Sequence, residues 1–277
     1  MIGKDTGVAQ GGRPLRARAQ RGGRAFLLLV ILGGLLPGVA LGAPSLTRIS
    51  IHRPGWFLGL GFLSYGWPYP EVTRWSRFVP LVDVEGDGFY VHGLDAGWWF
   101  YRTSRGVRLS LVLSPELLHL DPKYGPFARG LHDRLATLLG GLRGSLDHRD
   151  YALHLSALRD LLARSDGEVV RLSLGPRWSG EGWRLSSRFG IDWQSASQVD
   201  YYFGVSPAEA AAARPVYRPG ACVDADATLV VARRLGAHFE IVGSVEETWY
   251  GASIRESPLV DRATALSGLV GLMYRFR

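Results

Sequence analysis

Along much of the chain, apolar and polar positions alternate with a period of two. Residues 170–178 set Val170, Leu172, Leu174, Pro176 and Trp178 against Arg171, Ser173, Gly175 and Arg177. Residues 183–193 set Trp183, Leu185, Phe189, Ile191 and Trp193 against Arg184, Ser186, Arg188 and Asp192. Residues 222–232 place Val223, Ala225, Ala227, Leu229 and Val231 opposite Asp224, Asp226 and Thr228. Residues 239–245 place Phe239, Ile241 and Val245 opposite His238, Glu240, Ser244 and Glu246. A period of two is the signature of strands. Here it runs over seven to eleven residues, where strands of soluble sheets average about five to six and a bilayer crossing needs about nine to eleven. The polar face is charged on four consecutive strands. A soluble sandwich would bury that face, and a buried unpaired charge costs several kcal/mol. The pattern instead predicts an antiparallel transmembrane β-barrel, apolar outside and polar inside, with tryptophans ending the apolar face as an interfacial girdle.

The remaining segments extend this reading. In residues 56–63, Trp56, Leu58, Leu60 and Phe62 form a bulky face toward lipid, and Phe57, Gly59, Gly61 and Leu63 a crowded interior. A short strand is expected at 78–84 and another at 107–114. The face switches within 89–102, which implies a bulge or a short extra hairpin. Residues 131–146 and 151–158 read as a hairpin, although their leucines and alanines would also suit helices. The last strand, 262–276, presents Leu266, Val270, Leu272, Tyr274 and Phe276 on one side. The long connections (121–129, 162–167, 194–217, 248–260) fall at one end and the short turns near Ser104, His148, Gly180 and Arg234 at the other. That asymmetry is the rule for bacterial barrels. The count is about twelve strands, with ten as the alternative.

Composition changes the picture at the N-terminus. Residues 1–24 hold six basic and one acidic side chain, followed by an uncharged apolar stretch, 25–43, broken by Gly33, Gly34, Pro37 and Gly38. This is the form of a cleaved signal peptide over 1–43, with an uncleaved anchor as the alternative. The formal charge of +7 loses a net five with that segment. The remaining +2 gives no footprint for nucleic acid, and the expected surroundings of residues 44–277 are outer-membrane lipid, as a monomer. One cysteine, Cys222, excludes an intrachain disulfide. The 36 glycines and nine tryptophans suit barrel interiors and aromatic girdles.

Chemistry is sparse. No Gly-x-Ser-x-Gly elbow, phosphate loop or zinc spacing occurs, so no cofactor, metal or enzymatic activity is expected. His154 lies two residues from Ser156, but such a pair needs an orienting group and an oxyanion site. The inward charges are the candidate site: Arg171, Arg177, Arg184 and Arg188, then Asp192, Asp224, Asp226, Glu240 and Glu246. They read either as a selectivity lining or as an internal ion-pair network that fills the lumen.

Gly271, Tyr274 and Phe276 resemble the C-terminal insertion signal of bacterial outer-membrane barrels, with Leu269 where a polar residue is usual and Arg277 after the final aromatic. Tyr202-Phe203-Gly204-Val205-Ser206, Tyr217, the Ser257-Pro258-Leu259-Val260 segment and this last strand together resemble the MipA/OmpV family of outer-membrane proteins. Glu256 replaces the family's Asp, Ala211 to Ala213 stand where a serine is frequent, and Tyr69-Pro70-Glu71-Val72 replaces a Tyr-Pro-Gly-Ser turn. The resemblance covers roughly residues 56–276. It implies an envelope scaffold for a murein transglycosylase and a murein synthase or a surface-binding protein, with a small-solute channel as the alternative.

Overall fold

A computed structural model describes residues 55–70 and 75–276; the expected signal segment, 1–43, and residues 71–74 lie outside them. Twelve antiparallel strands close into a barrel: β1 (Gly55–Tyr65), β2 (Trp75–Glu85), β3 (Phe89–His92), β4 (Asp95–Arg102), β5 (Val107–Glu116), β6 (Thr137–His148), β7 (Tyr151–Asp160), β8 (Glu168–Gly180), β9 (Trp183–Gln194), β10 (Cys222–Leu235), β11 (Phe239–Trp249) and β12 (Thr264–Phe276). Each strand pairs with its neighbour in sequence, and β12 closes on β1 with Trp56 opposite Phe276 and Gly61 opposite Gly271. Two helices lie in connections, α1 (Ala196–Phe203) and α2 (Ala252–Arg255). Among the described residues no helix is long and apolar enough to cross a membrane.

The pleat sorts the side chains as the alternation predicts. On β1, Phe57 and Leu63 are 2% and 1% exposed while Leu60 is 57% exposed. The outer face carries Trp183, Phe189, Ile191 and Trp193 on β9, and Leu266, Val270 and Leu272 on β12, all exposed. In water such a surface would be an aggregation liability; in a bilayer it is the solvated face. From β5 round through β12 to β2 each strand is laddered to its neighbour along most of its length, as hydrocarbon requires.

Three segments correct or resolve the expectations. The strand expected from residue 131 starts at Thr137, because Leu120 and Arg134 form a bridge that holds residues 131–136 in the preceding loop. The strand at 78–84 is longer, Trp75–Glu85. Segment 89–102 contains both devices that its switching face allowed: a short hairpin, β3–β4, and a register shift between Trp99 and Tyr101. The helix option for β6 and β7 is excluded by their ladder, Leu142 opposite Ala157. Their period is blurred because Leu139 and Leu158 pack inward with Val112 and Val169, while Leu142 and Leu155 face out.

Strand order places the connections 66–70, 117–136, 161–167, 195–221 and 250–263 at one end, the loop end. The turns 86–88, 103–106, 149–150, 181–182 and 236–238 fall at the other, the turn end, with the C-terminus.

Candidate functional site: a charged lumen under an aromatic cap

Inward residues on β4 to β11 meet across the lumen. Arg143 reaches Asp95 at 2.6 Å. Arg171 bridges Glu116 at 2.6 Å and Asp192 at 3.0 Å. Asp147 accepts from Arg177 at 2.6 Å and also pairs with Arg108. Arg184 pairs with Glu240. Arg188 donates to Thr228 Oγ1 at 2.8 Å and lies 3.2 Å from Glu246 and 3.5 Å from Asp226. Asp224 accepts from Gln194 at 2.6 Å and from the Gly251 backbone N–H at 2.8 Å, tying β10 to the loop above. All nine inward charges singled out in the sequence therefore lie on the lumen side, in ion pairs or hydrogen bonds. The sequence did not mark Asp95, Glu116, Arg143 and Asp147, which join the network: Asp95 sits where the face of 89–102 switches, Glu116 lies past the strand expected at 107–114, and Arg143 and Asp147 lie on a strand whose period is blurred. A cavity of about 140 Å³ remains among Tyr90, Asp95, Trp99, Arg143, Ser145 and Arg188. His154 Nδ1 lies 3.0 Å from Ser145 Oγ, while Ser156 accepts from Arg143, so the His154–Ser156 pair does not form.

The lumen is not charged all round. Phe57, Leu63, Val79, Val242, Leu269 and Met273 pack as one cluster along the inside of β1, β2, β11 and β12.

Five loops converge over the loop end. Trp67, Tyr69, Leu120, Val199, Tyr202, Phe203, Val205, Ile254 and Leu259 form a second buried core there. Its rings meet edge to face, tilted or stacked: Trp67 with Tyr124 at 5.4 Å, Tyr69 with Phe203 at 5.9 Å, Tyr69 with Phe127 at 6.4 Å. This is an ordinary apolar core built from loops, and its burial orders them. Residues 202–206 are its keystone. Tyr202, Phe203 and Val205 are buried. Tyr69 and Ser257 hydroxyls donate to the carbonyls of Tyr202 and Phe203, at 3.3 and 2.6 Å. Val205 bridges Tyr217, whose hydroxyl donates to Ser253 O at 3.0 Å. Gly204 is required because a Cβ would strike Asp200.

Beneath this run sits a buried pair the sequence did not suggest, since its members are 75 residues apart. Arg134 donates to Tyr201 O at 2.7 Å and Gly204 O at 2.8 Å and lies 3.2 Å from Glu209. Glu209 also accepts from the backbone N–H of His132 at 2.9 Å and of Ser206 at 3.0 Å. Burial alone would raise the Glu209 carboxyl. The N–H groups of His132 and Ser206 and the Arg134 charge outweigh it, lowering the pKa to about 2. Burial pushes the Tyr202 phenol well above its ordinary range.

The model for "MltA-interacting protein MipA" matches residues 58–276. The chain belongs to the MipA family. It is 26% identical over 244 residues to the MltA-interacting protein of Escherichia coli K12, covering 86% of this chain and 98% of the relative. It is 34% identical over 249 residues to the outer membrane protein OmpV of Vibrio cholerae, covering 86% and 94%. Among solved structures it is similar to an outer membrane channel from Pseudomonas putida F1, at 12% identity and a TM-score of 0.41, covering 87% of this chain and 100% of that one. This member of the MipA family is an outer-membrane β-barrel. Within it, the Tyr-Phe-Gly-Val-Ser segment, 202–206, and the Ser-Pro-Leu-Val segment, 257–260, meet in the cap, where Ser257 and Leu259 are buried against the core.

Proposed function

We propose that the protein is an envelope scaffold, a barrel closed to solutes that offers its two ends as binding surfaces. The observation that carries this reading is double closure: an ion-pair network occupies the lumen, and an aromatic core seals the loop end. By the loop-length rule the cap lies outside the cell and the turns in the periplasm. The turn end is small, yet it presents a basic rim. Arg102, Arg105, Arg149, Arg233, Arg234 and Arg275 are exposed there, against Asp87, Asp150 and Glu181. Such a rim favours an acidic partner surface or the carboxylates of murein stem peptides. A relative is named MltA-interacting protein, and a murein transglycosylase is accordingly the partner proposed for this end. A stable interface buries about 800 Å² per partner, so a partner must reach across several turns rather than grip one.

The second reading, a small-solute channel, is favoured by the cavity among the lumen charges. Planar-bilayer conductance of the refolded chain decides between them. Silence from folded protein is the expected result. Discrete, reproducible steps would establish the channel and overturn the closed scaffold. Photo-crosslinkers at Ala237 on the turn end and Ala212 on the cap, both exposed, then report which end meets the transglycosylase; the rim reading requires Ala237.

A further inference from the structure

The barrel wall is incomplete on one side of its loop-end half. β3 pairs with β2 only over Asp83 to Glu85, and the pairing of β4 with β5 stops at Ala96 opposite Leu113. The Gly93 N–H to Val82 O bond, 2.8 Å, is the last rung beside β2. Beyond the hairpin tip, Gly93 and Leu94, the edges of β2 and β5 face each other, and among the described residues no strand lies between them. Backbone direction alternates along a strand, so residues two apart share an edge. Val82 faces β3, and hence Pro80 faces the gap. Residue 107 of β5 accepts from Thr103 on the β4 side, and hence Pro115 faces the gap from the opposite edge.

Both edges thus carry a proline where an unpaired N–H would otherwise point into hydrocarbon. An unsatisfied backbone group there costs several kcal/mol, and proline has no N–H to leave unsatisfied. The gap is at membrane depth: Phe78 and Pro80 beside it are exposed on the outer face, and Phe78 packs edge to face on Phe62 at 5.5 Å. Its inner side is apolar. Val79, Leu81, Leu94, Leu117 and Ala136 belong to the cluster that lines β1 and β12. Apolar side chains, rather than backbone hydrogen bonds, line the wall here. The same β3–β4 hairpin that forms the rim supplies Tyr90, Asp95 and Trp99 to the lumen cavity, where Arg143, Arg188, Asp192 and Asp226 offer both signs of charge.

We infer that this gap is a lateral portal for a single-chain zwitterionic amphiphile, its acyl chain between β2 and β5 and its head in the mixed-charge cavity. An apolar slot opening sideways to lipid beside a polar cavity matches a molecule of that division. The inference stands independently of the scaffold reading, since a chain can lodge from the bilayer while the loop end stays sealed.

The test uses the full barrel with Cys222→Ser and a single new cysteine carrying a bromine-quenched fluorophore, in phosphatidylcholine vesicles. A brominated lysophosphatidylcholine is titrated in. The inward Leu81→Cys probe is expected to be quenched saturably, and the lipid-facing Phe78→Cys probe linearly with bilayer content. Val79→Phe, which fills the slot, should abolish the Leu81→Cys response. Leu94→Phe at the rim serves where Val79→Phe fails to give a heat-modifiable barrel. A Leu81→Cys probe that stays unquenched, or that follows the linear course of Phe78→Cys, overturns the portal.

Discussion

Glu209 is the side chain on which the cap depends most. It satisfies two loop backbone N–H groups, the Ser206 hydroxyl and a buried guanidinium at once. Breaking a buried pair from one side leaves an uncompensated charge, at about 3–5 kcal/mol. Glu209→Ala is therefore expected to loosen residues 196–221, seen as faster hydrogen exchange there with the strands unchanged. The sign of the pH effect follows from the lowered carboxyl. Its contribution is fully present above the unfolded value of 4.5 and is lost as pH falls through about 2. Pepsin should accordingly attack the cap progressively faster between those values, relative to an unfolded substrate. In Glu209→Gln that dependence should flatten; an unchanged pH profile in that variant would remove Glu209 from the account.

At the scale of elements, the strands were legible wherever one face is uniformly apolar. β8 to β12 read directly, because lipid imposes one chemistry on every second residue. Legibility weakened where the interior is apolar too: Leu139 and Leu158 face the lumen, so the hairpin of β6 and β7 was legible but its period also suited helices. It failed in the cap, where Trp67, Tyr69 and Arg134 act through contacts across unrelated loops that no local period marks. The seam between β1 and β12 depends on a local choice that the sequence does show. A Cβ on Gly59 would run into the Leu272 carbonyl of the partner strand, whereas Gly61 and Gly271 leave room for Leu81 above them. Gly59→Val is expected to prevent closure. The variant should lose the fast-migrating, heat-modifiable form on electrophoresis, while Ser64→Val, on the same strand near the loop, should keep it.

At the scale of the whole molecule, the cap and the lumen network are two barriers in series, and they can be removed separately. Tyr69→Ala with Phe203→Ala deletes large rings from the cap core, at about 3–5 kcal/mol for a fully buried aromatic. The barrel survives this because its ladder and lipid-facing surface are untouched. If the network closes the lumen by itself, the cap variant remains silent in a planar bilayer. Adding Arg188→Ala should then open the path, because Arg188 spans from β9 to Asp226 and Glu246 on the two following strands. Those carboxylates would lose their shared cation, so the conducting state should be cation-selective, read as a reversal potential in a potassium chloride gradient. Arg188→Ala alone should stay silent beneath the intact cap and unfold at lower temperature. Conductance from the cap variant alone would show instead that the ion pairs leave room for solutes, and that the aromatic cap is the sole closure of the barrel.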